Sequence, residues 1–259
     1  MLGKMDVKAV SLGDVVRVLE PLWSAKPTTA GKLRGRIEAV LDWCRVEGYR
    51  PEGPNPAAWK GNLEHRLPPL ARVQDVEHHV AVPWRDAPKV YRALTADRSS
   101  HRMLRFIMLT AARYGEVAQM KWEDIDLKAA VWTVPAEVLK SRREHRVPLC
   151  DEALAILKAQ AGDRPMRGLV FRGTVPKKPV SDQTLRKLLR EVSGIEDADV
   201  HGLRSTFRDW CADTKRSREA AELSLAHVIA GGAEAAYWRS DLLGERRELL
   251  SEWTAFLAA

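Results

Sequence analysis

Apolar residues recur at helical spacing near the start of the chain. Between residues 12 and 23 they occupy positions 12, 15, 16, 18, 19 and 22, a pattern that predicts one helix. Pro27, followed by two threonines, predicts the start of a second helix with a threonine as its N-cap. The Pro- and Gly-rich residues 49–58 end this helix. Its predicted apolar stripe comprises Leu33, Ile37, Val40, Leu41 and Cys44.

The rest of the chain is predicted to be mainly helical, with one pair of strands. Pro68 and Pro69 mark an extended linker, which divides the chain into a first domain at 1–66, a linker at 67–83 and a second domain at 84–259. The segments 130–135 and 146–149 predict strands around a charged turn. The expected fold class is mainly α with a small antiparallel β-sheet. Helices are predicted at 87–94, 99–112, 151–161, 181–193, 200–213, 217–227, 233–239 and 244–257, with a break at Gly115.

Composition and charge narrow the class of protein. The net charge of +7 over 259 residues favours an acidic partner such as nucleic acid. Cys44, Cys150 and Cys211 are far apart and odd in number, so we expect no zinc site or disulfide framework, and a reducing cytoplasm. His78 and His79 are predicted to be solvent-exposed linker residues, because no cluster of other metal ligands accompanies them. No apolar run approaches the ~20 residues of a membrane span, so no membrane partner is expected.

Basic side chains in two places are candidates for contacts with a phosphate backbone. On the second predicted helix, Lys32 and Arg36 share the face opposite the apolar stripe. Taken alone, such a face is more simply a solvated surface, but in a DNA-binding protein it would contact phosphates. The charged turn between the predicted strands is the second place. The candidate DNA-binding residues are Lys26, Lys32, Arg34, Arg36, Arg142 and Arg143.

A group of polar residues in the last third of the chain suggests phosphate chemistry. Arg204 lies three residues after His201, so on a helix the two side chains point the same way. A guanidinium beside an imidazole favours an oxyanion, and phosphate is the obvious candidate. Each such residue alone would more often be a surface, capping or core residue. The complete set in chain order is Arg113, Lys140, His201, Arg204, His227 and Tyr237.

That order, Arg … Lys … His-x-x-Arg … His … Tyr, resembles the tyrosine recombinase (phage integrase) family. The local sequences also match: AARYGEV followed by W-x-D-I-D, R-x-H-R-V-P-L after the lysine, and AAYWRSDLLGERRELLSEW at the end. The resemblance covers the second domain and most of the first. It is strongest to integrases of the satellite-phage type, which are carried on bacterial genomic islands.

The resemblance implies a reaction and a role for each residue. Tyr237 would attack a DNA phosphodiester and form a 3′-phosphotyrosyl intermediate. Arg113 and Arg204 would stabilise charge on the non-bridging oxygens. His201 and His227 would donate hydrogen bonds or accept the phenolic proton. The bond energy is conserved in the intermediate, so the resemblance implies no metal, no ATP and no other cofactor.

Lys140 is the implied general acid for the leaving 5′ oxygen. Arg142 and Arg143 compete for this role, but the seven-residue offset from Lys140 to Val147 matches the family's lysine. Glu116, one helical turn after Arg113, is interpreted as an orienting partner of that arginine.

The resemblance also implies partners and a location. The chain would integrate or excise a mobile element by acting on double-stranded attachment (core) sites as a homotetramer, with possible accessory DNA-bending proteins and an excisionase, in the bacterial cytoplasm and nucleoid. The last segment, 242–257, would pack on its own domain or dock onto a neighbouring protomer.

Two alternatives to an active recombinase stay open. The chain begins inside the first domain of the family, without its first helix, and is therefore interpreted as N-terminally truncated with a partial core-type DNA-binding domain at 1–66. We expect residues 12–48 to be less stable for that reason. A recombination-defective DNA-binding remnant is one alternative. A type IB topoisomerase-like DNA-relaxing enzyme is the other.

Overall fold

The computed structural model describes residues 2–73, 79–95, 97–139, 142–162, 165–227 and 240–259. Lys140, Tyr237 and the helix predicted at 233–239 lie outside these ranges. The chain divides into two compact units, residues 1–77 and residues 78–259. Each unit has its own cluster of buried apolar residues.

The helices and strands follow the predicted pattern, and the fold class is confirmed. None of the helices in the described ranges is long and apolar enough to cross a bilayer. The helices of the first unit are α1 (Leu12–Trp23), α2 (Pro27–Val46) and α3 (Leu70–Val73). Those of the second unit are α4 (Ala87–Ala93), α5 (Ser99–Thr110), α6 (Tyr114–Ala118), α7 (Asp151–Ala161), α8 (Asp182–Ser193), α9 (Gly202–Asp213), α10 (Arg218–Ser224) and α11 (Leu243–Ala258). The strands are β1 (Ile125–Asp126), β2 (Val131–Val134) and β3 (His145–Pro148).

The first unit differs from prediction at helix α2. Lys26, rather than a threonine, is the N-cap, because Pro27 occupies the first helical turn, where its missing N–H costs nothing. Leu41 and Cys44 are buried as predicted, but Val40 is 58% exposed. Val40 directly precedes Leu41, so the helical turn of about 100° per residue carries it away from the buried side.

Residues assigned to the linker take part in both units. In the first unit, the indole N–H of Trp23 donates to the carbonyl of Pro68 at 2.8 Å, and Leu70 lies against Gly31 so closely that a Cβ there would be 2.7 Å from it. In the second unit, Val82 is buried in the core. Apolar side chains interrupt the proline-marked segment and bury themselves on the nearer unit, which sequence punctuation alone does not reveal.

The second unit packs its helices around α5 and a three-stranded antiparallel sheet in the order β1-β2-β3. Trp132 of β2 pairs with Val147 of β3, and both are buried. The break predicted at Gly115 lies instead at Ala111, which ends α5 in a left-handed conformation (φ 50°), while Gly115 lies inside α6. Helix α11 packs on its own unit, where the Trp253 indole N–H donates to the carbonyl of Met108 at 2.7 Å.

Candidate active site

Arg113 is held at the start of α6 by Glu116. Glu116 is buried, and its carboxylate accepts hydrogen bonds from the Arg113 backbone N–H at 3.0 Å and from Arg113 Nη1 at 2.8 Å. The side chain of Arg113 stays 33% exposed. A buried carboxylate on one edge of the guanidinium thus fixes its direction and leaves its other edge accessible from solvent.

Arg204 is buried beneath this position, on helix α9. Its Nη1 donates to the carbonyl of Ala111 and its Nη2 to the carbonyl of Leu225, both at 2.6 Å. The left-handed backbone of Ala111 turns that carbonyl toward the guanidinium. Burial, and then the charge of Arg113, lower the pKa of Arg204 to about 10, so it remains cationic at neutral pH. Two guanidinium groups are therefore brought together through one turn of backbone, Ala111–Arg113.

His227 is placed by the end of helix α10. The backbone N–H of His227 donates to the carbonyl of Glu222 at 2.9 Å, and that of Ala226 donates to the carbonyl of Leu223 at 3.0 Å. Ala226 adopts a left-handed conformation (φ 50°) between them. This is the hydrogen-bond pattern of a Schellman motif, which usually has glycine at the left-handed position.

The imidazole of His227 bridges Glu222 and Arg204. Its Nδ1 lies 2.6 Å from the Glu222 carboxylate, and its Nε2 lies 3.1 Å from Nη2 of Arg204. A guanidinium can only donate, so Nε2 accepts and Nδ1 carries the proton given to Glu222. Burial alone would raise the pKa of Glu222, but hydrogen bonds from His227 and Arg208 outweigh it and lower that pKa.

His201 precedes helix α9, and its backbone contacts the carboxylate of Asp199. Its backbone N–H donates to Oδ1 of Asp199 at 2.8 Å. The ring of His79 lies against that of His201, with centroids 4.6 Å apart, and Nδ1 of His79 is 3.3 Å from Oδ2 of Asp199. Burial lowers the pKa of His201, as do the charges of Arg204 and His79. His79 is 54% exposed, as predicted, but it belongs to this cluster and not to a linker. His78 lies outside the described residues.

Several of these residues line one open cavity of about 790 Å³. Arg113, His201 and His227 line it, as does Leu139, the residue before Lys140. Lys140 and Tyr237 lie outside the described residues, so the structure brings together four of the six predicted catalytic positions. Sequence reasoning missed Glu222, Asp199 and His79, since the three- and four-residue spacing of a helix does not connect them to their partners.

The predicted DNA-binding residues differ in their exposure to solvent. Lys26, Lys32, Arg36, Arg142 and Arg143 are at least partly exposed. Arg34 is half-buried, and its Nη1 donates to Glu38 at 2.8 Å and to the carbonyl of Ala57 at 3.0 Å. Arg34 therefore stabilises the first unit internally.

No group of three or more His, Cys, Asp or Glu residues among those described could hold a metal ion.

Solved structures of an integrase share the fold of this chain. The lambda integrase (75–356) dimer bound to a COC′ core site matches with a TM-score of 0.62 at 17% identity, over 92% of this chain and 82% of that one. A lambda integrase tetramer bound to a Holliday junction matches with a TM-score of 0.60 at 18% identity, over 90% of this chain and 67% of that one. The fold is that of the tyrosine recombinases.

The chain belongs to the phage integrase family. The model described as "Phage integrase family" matches residues 86–237, and the one described as "Phage integrase central domain" matches residues 1–62. Prophage integrase IntZ of Escherichia coli (strain K12) is 30% identical over 98% of this chain. The integrase of Enterobacteria phage P4 is 25% identical over 99% of it. The chain spans 61% of the length of each of these relatives.

Proposed function

We propose that this chain is a site-specific DNA recombinase that cleaves and rejoins DNA through a tyrosine, within a homotetramer on double-stranded attachment sites. The observation that carries the proposal is the grouping of Arg113, His201 and His227 on one cavity, with the buried guanidinium of Arg204 3.1 Å from the ring of His227. Two guanidinium groups and two imidazoles suit a phosphodiester, because they offer positive charge and hydrogen-bond donors to its oxygens.

The proposed cleavage step is a transesterification. The phenolic oxygen of Tyr237 attacks phosphorus while the bond from phosphorus to the 5′ oxygen breaks. His201 accepts the phenolic proton, and Lys140 gives a proton to the leaving 5′ oxygen. Arg113 and Arg204 bind the non-bridging oxygens, and His227 donates to one of them when its Nε2 carries a proton. A 5′ hydroxyl of a second strand reverses the step and joins it, so no metal or nucleotide is consumed.

Contacts with the rest of the duplex are proposed from exposed basic residues. Lys26, Lys32 and Arg36 of the first unit, with Arg142 and Arg143 of the second, would neutralise backbone phosphates and give a salt-dependent affinity. Dimers and tetramers of lambda integrase on DNA support the assembly. Accessory DNA-bending proteins and an excisionase belong to the same proposal, as does a place in the bacterial cytoplasm.

Covalent capture of DNA tests the proposal even when the attachment sequence is unknown. The chain is incubated with nicked duplexes whose centre is randomised and whose short 5′-hydroxyl fragment is lost on cleavage. We expect an SDS-resistant adduct whose DNA converges on one sequence. Tyr237→Phe should abolish the adduct, whereas Tyr49→Phe, which changes an exposed tyrosine of the first unit, should leave it intact.

Other outcomes separate the alternatives. DNA binding without any adduct would establish a recombination-defective remnant. Relaxation of a supercoiled plasmid without sequence preference would establish a topoisomerase-like enzyme. An adduct that persists in Tyr237→Phe would overturn the nucleophile assignment.

A further inference from the structure

The segment that leads into the second unit is built against the start of helix α9. Val80 forms a parallel bridge with Ala198, and its carbonyl accepts from the backbone N–H of Asp199 at 3.1 Å. A Cβ at Gly202 would lie 2.3 Å from that carbonyl, so only glycine permits the approach. The hydroxyl of Thr206 donates to the carbonyl of Val82 at 2.6 Å. The residue that precedes this segment, His79, is thus held in place by its backbone neighbours.

The side chain of His79 and the backbone of His201 contact the same carboxylate, that of Asp199. Asp199 accepts from the backbone N–H of His201 through Oδ1, and its Oδ2 faces Nδ1 of His79. Arg186 also approaches Oδ2, at 3.5 Å. The side chain of Asp199 is mostly buried, so its contacts are weakly screened by solvent.

We propose that His79 is a positioning residue of the active site, which orients the His201 ring by direct contact and, with Asp199, sets the pH range in which that imidazole is neutral. This inference rests on the proposed function, in which neutral His201 accepts the phenolic proton. Among the described residues, the charged or titratable groups that act on His201 are His79, Asp199, Arg204 and Arg113.

Removal of the His79 imidazole changes the charge around His201 in one direction. The charge of His79, which lowers the pKa of His201, disappears, and the Asp199 carboxylate loses a partner. Both changes favour protonated His201, so its pKa should rise. His79→Phe keeps an aromatic ring in contact with His201 and therefore isolates the loss of charge.

The first measurement is an NMR titration of the histidine ring signals in the full chain, with the His201 signal assigned through His201→Asn. We expect His79→Phe to raise the pKa of His201 by about 0.5, as for a partly screened neighbouring charge. His65→Phe is the matched control, because His65 is an exposed histidine that pairs with Glu64 in the first unit. An unchanged or lowered pKa of His201 in His79→Phe would overturn the inference.

The second measurement is the pH dependence of adduct formation. Below the pKa of His201, His79→Phe should form adduct about threefold more slowly than the His65→Phe control, because a pKa rise of about 0.5 lowers the neutral fraction by that factor. At high pH, the two rates should converge. Weaker DNA binding with an unchanged pH profile would show that His79 contacts phosphate instead, and would overturn the positioning role.

The two measurements also separate this inference from the proposed function. If no protein forms an adduct, the proposed reaction fails, while the NMR titration still decides the coupling of His79 to His201. If His79→Phe does not fold, as judged by near-ultraviolet circular dichroism, His79→Gln takes its place with the same expected directions.

Discussion

The guanidinium of Arg246 donates to the backbone carbonyl of Arg146, 2.8 Å away across 100 residues of chain. Arg246 is 1% exposed. The same guanidinium approaches the carbonyl of Asp241, the hydroxyl of Ser224 and Nε2 of His145, at 3.3 to 3.4 Å. One buried cation of helix α11 therefore connects strand β3, helix α10 and the residues before α11.

Replacement of Arg246 should destabilise the second unit. In Arg246→Met, the carbonyl of Arg146 and the ring of His145 lose a buried donor, which we expect to lower the free energy of unfolding by about 3 kcal/mol. Urea denaturation measures this change. Arg216→Met removes a partly exposed pair with Glu252 and should cost less than about 1 kcal/mol. Equal losses in the two variants would contradict a connecting role for Arg246.

The free energy of unfolding of the second unit should depend on pH through His145. Burial lowers the pKa of His145 to about 3, helped by the charges of Arg246 and Arg113. Between about pH 3 and pH 6.5, the imidazole of His145 is therefore protonated in the unfolded chain but neutral in the folded chain. Above about pH 6.5, His145 does not lower the free energy of unfolding. As the pH falls below that value, the free energy of unfolding decreases by up to about 1.4 kcal/mol per pH unit.

His145→Asn tests this origin directly. Urea denaturation at several values between about pH 7 and about pH 4 should give a shallower slope for His145→Asn than for the parent chain. His65→Asn, at an exposed histidine, should keep the parent slope. A parent-like slope in His145→Asn would assign the acid sensitivity to other groups.

Glycine in place of Ala226 should stabilise the second unit. A left-handed alanine is strained by about 1 kcal/mol or more, and glycine removes that strain at some cost in unfolded-state entropy. We expect Ala226→Gly to raise the free energy of unfolding by about 0.5 kcal/mol. Ala220→Gly, inside helix α10, should lower it by about 1 kcal/mol. Destabilisation by both variants would show that the α10 end does not need a left-handed residue.

Under the proposed function, Glu222 should affect cleavage through His227. Glu222→Gln keeps an oxygen near Nδ1 but removes the charge that strengthens this hydrogen bond. A loss of about 1.5 kcal/mol would slow adduct formation about tenfold. Rates on the selected nicked duplex measure the effect. Glu219→Gln, at an exposed residue of the same helix, should keep the parent rate, and a matching loss there would point to a general effect on α10.

Sequence patterns were sufficient for most helices and for the order of the candidate catalytic residues. Helix α1 occupies the residues that its apolar spacing predicted, 12–23. Strand β1 escaped prediction because two residues are too few to show an alternating pattern. The end of α5 was misplaced because its stop signal is an alanine in a left-handed conformation, a conformation usually marked by glycine.

The supporting residues of the site were harder to predict than the catalytic candidates. Glu116 could be interpreted as the partner of Arg113 because a three-residue offset brings side chains together on a helical turn. The bond between Arg204 and the carbonyl of Ala111 spans 93 residues, and a backbone carbonyl has no signature in the sequence. The contact between His79 and His201 depends on how the chain enters the second unit, which only the packing of Gly202 reveals.

The same long-range bond makes the candidate site depend on the packing of segments that are far apart in the chain. Arg204 reaches the turn before Arg113 only after helices α5 and α9 have docked, and such non-local contacts form slowly. A nascent or partly unfolded chain therefore holds separate, weak anion-binding groups instead of a site that could break a phosphodiester. Under the proposed function, the topology of the chain itself protects the host chromosome from cleavage by incompletely folded molecules.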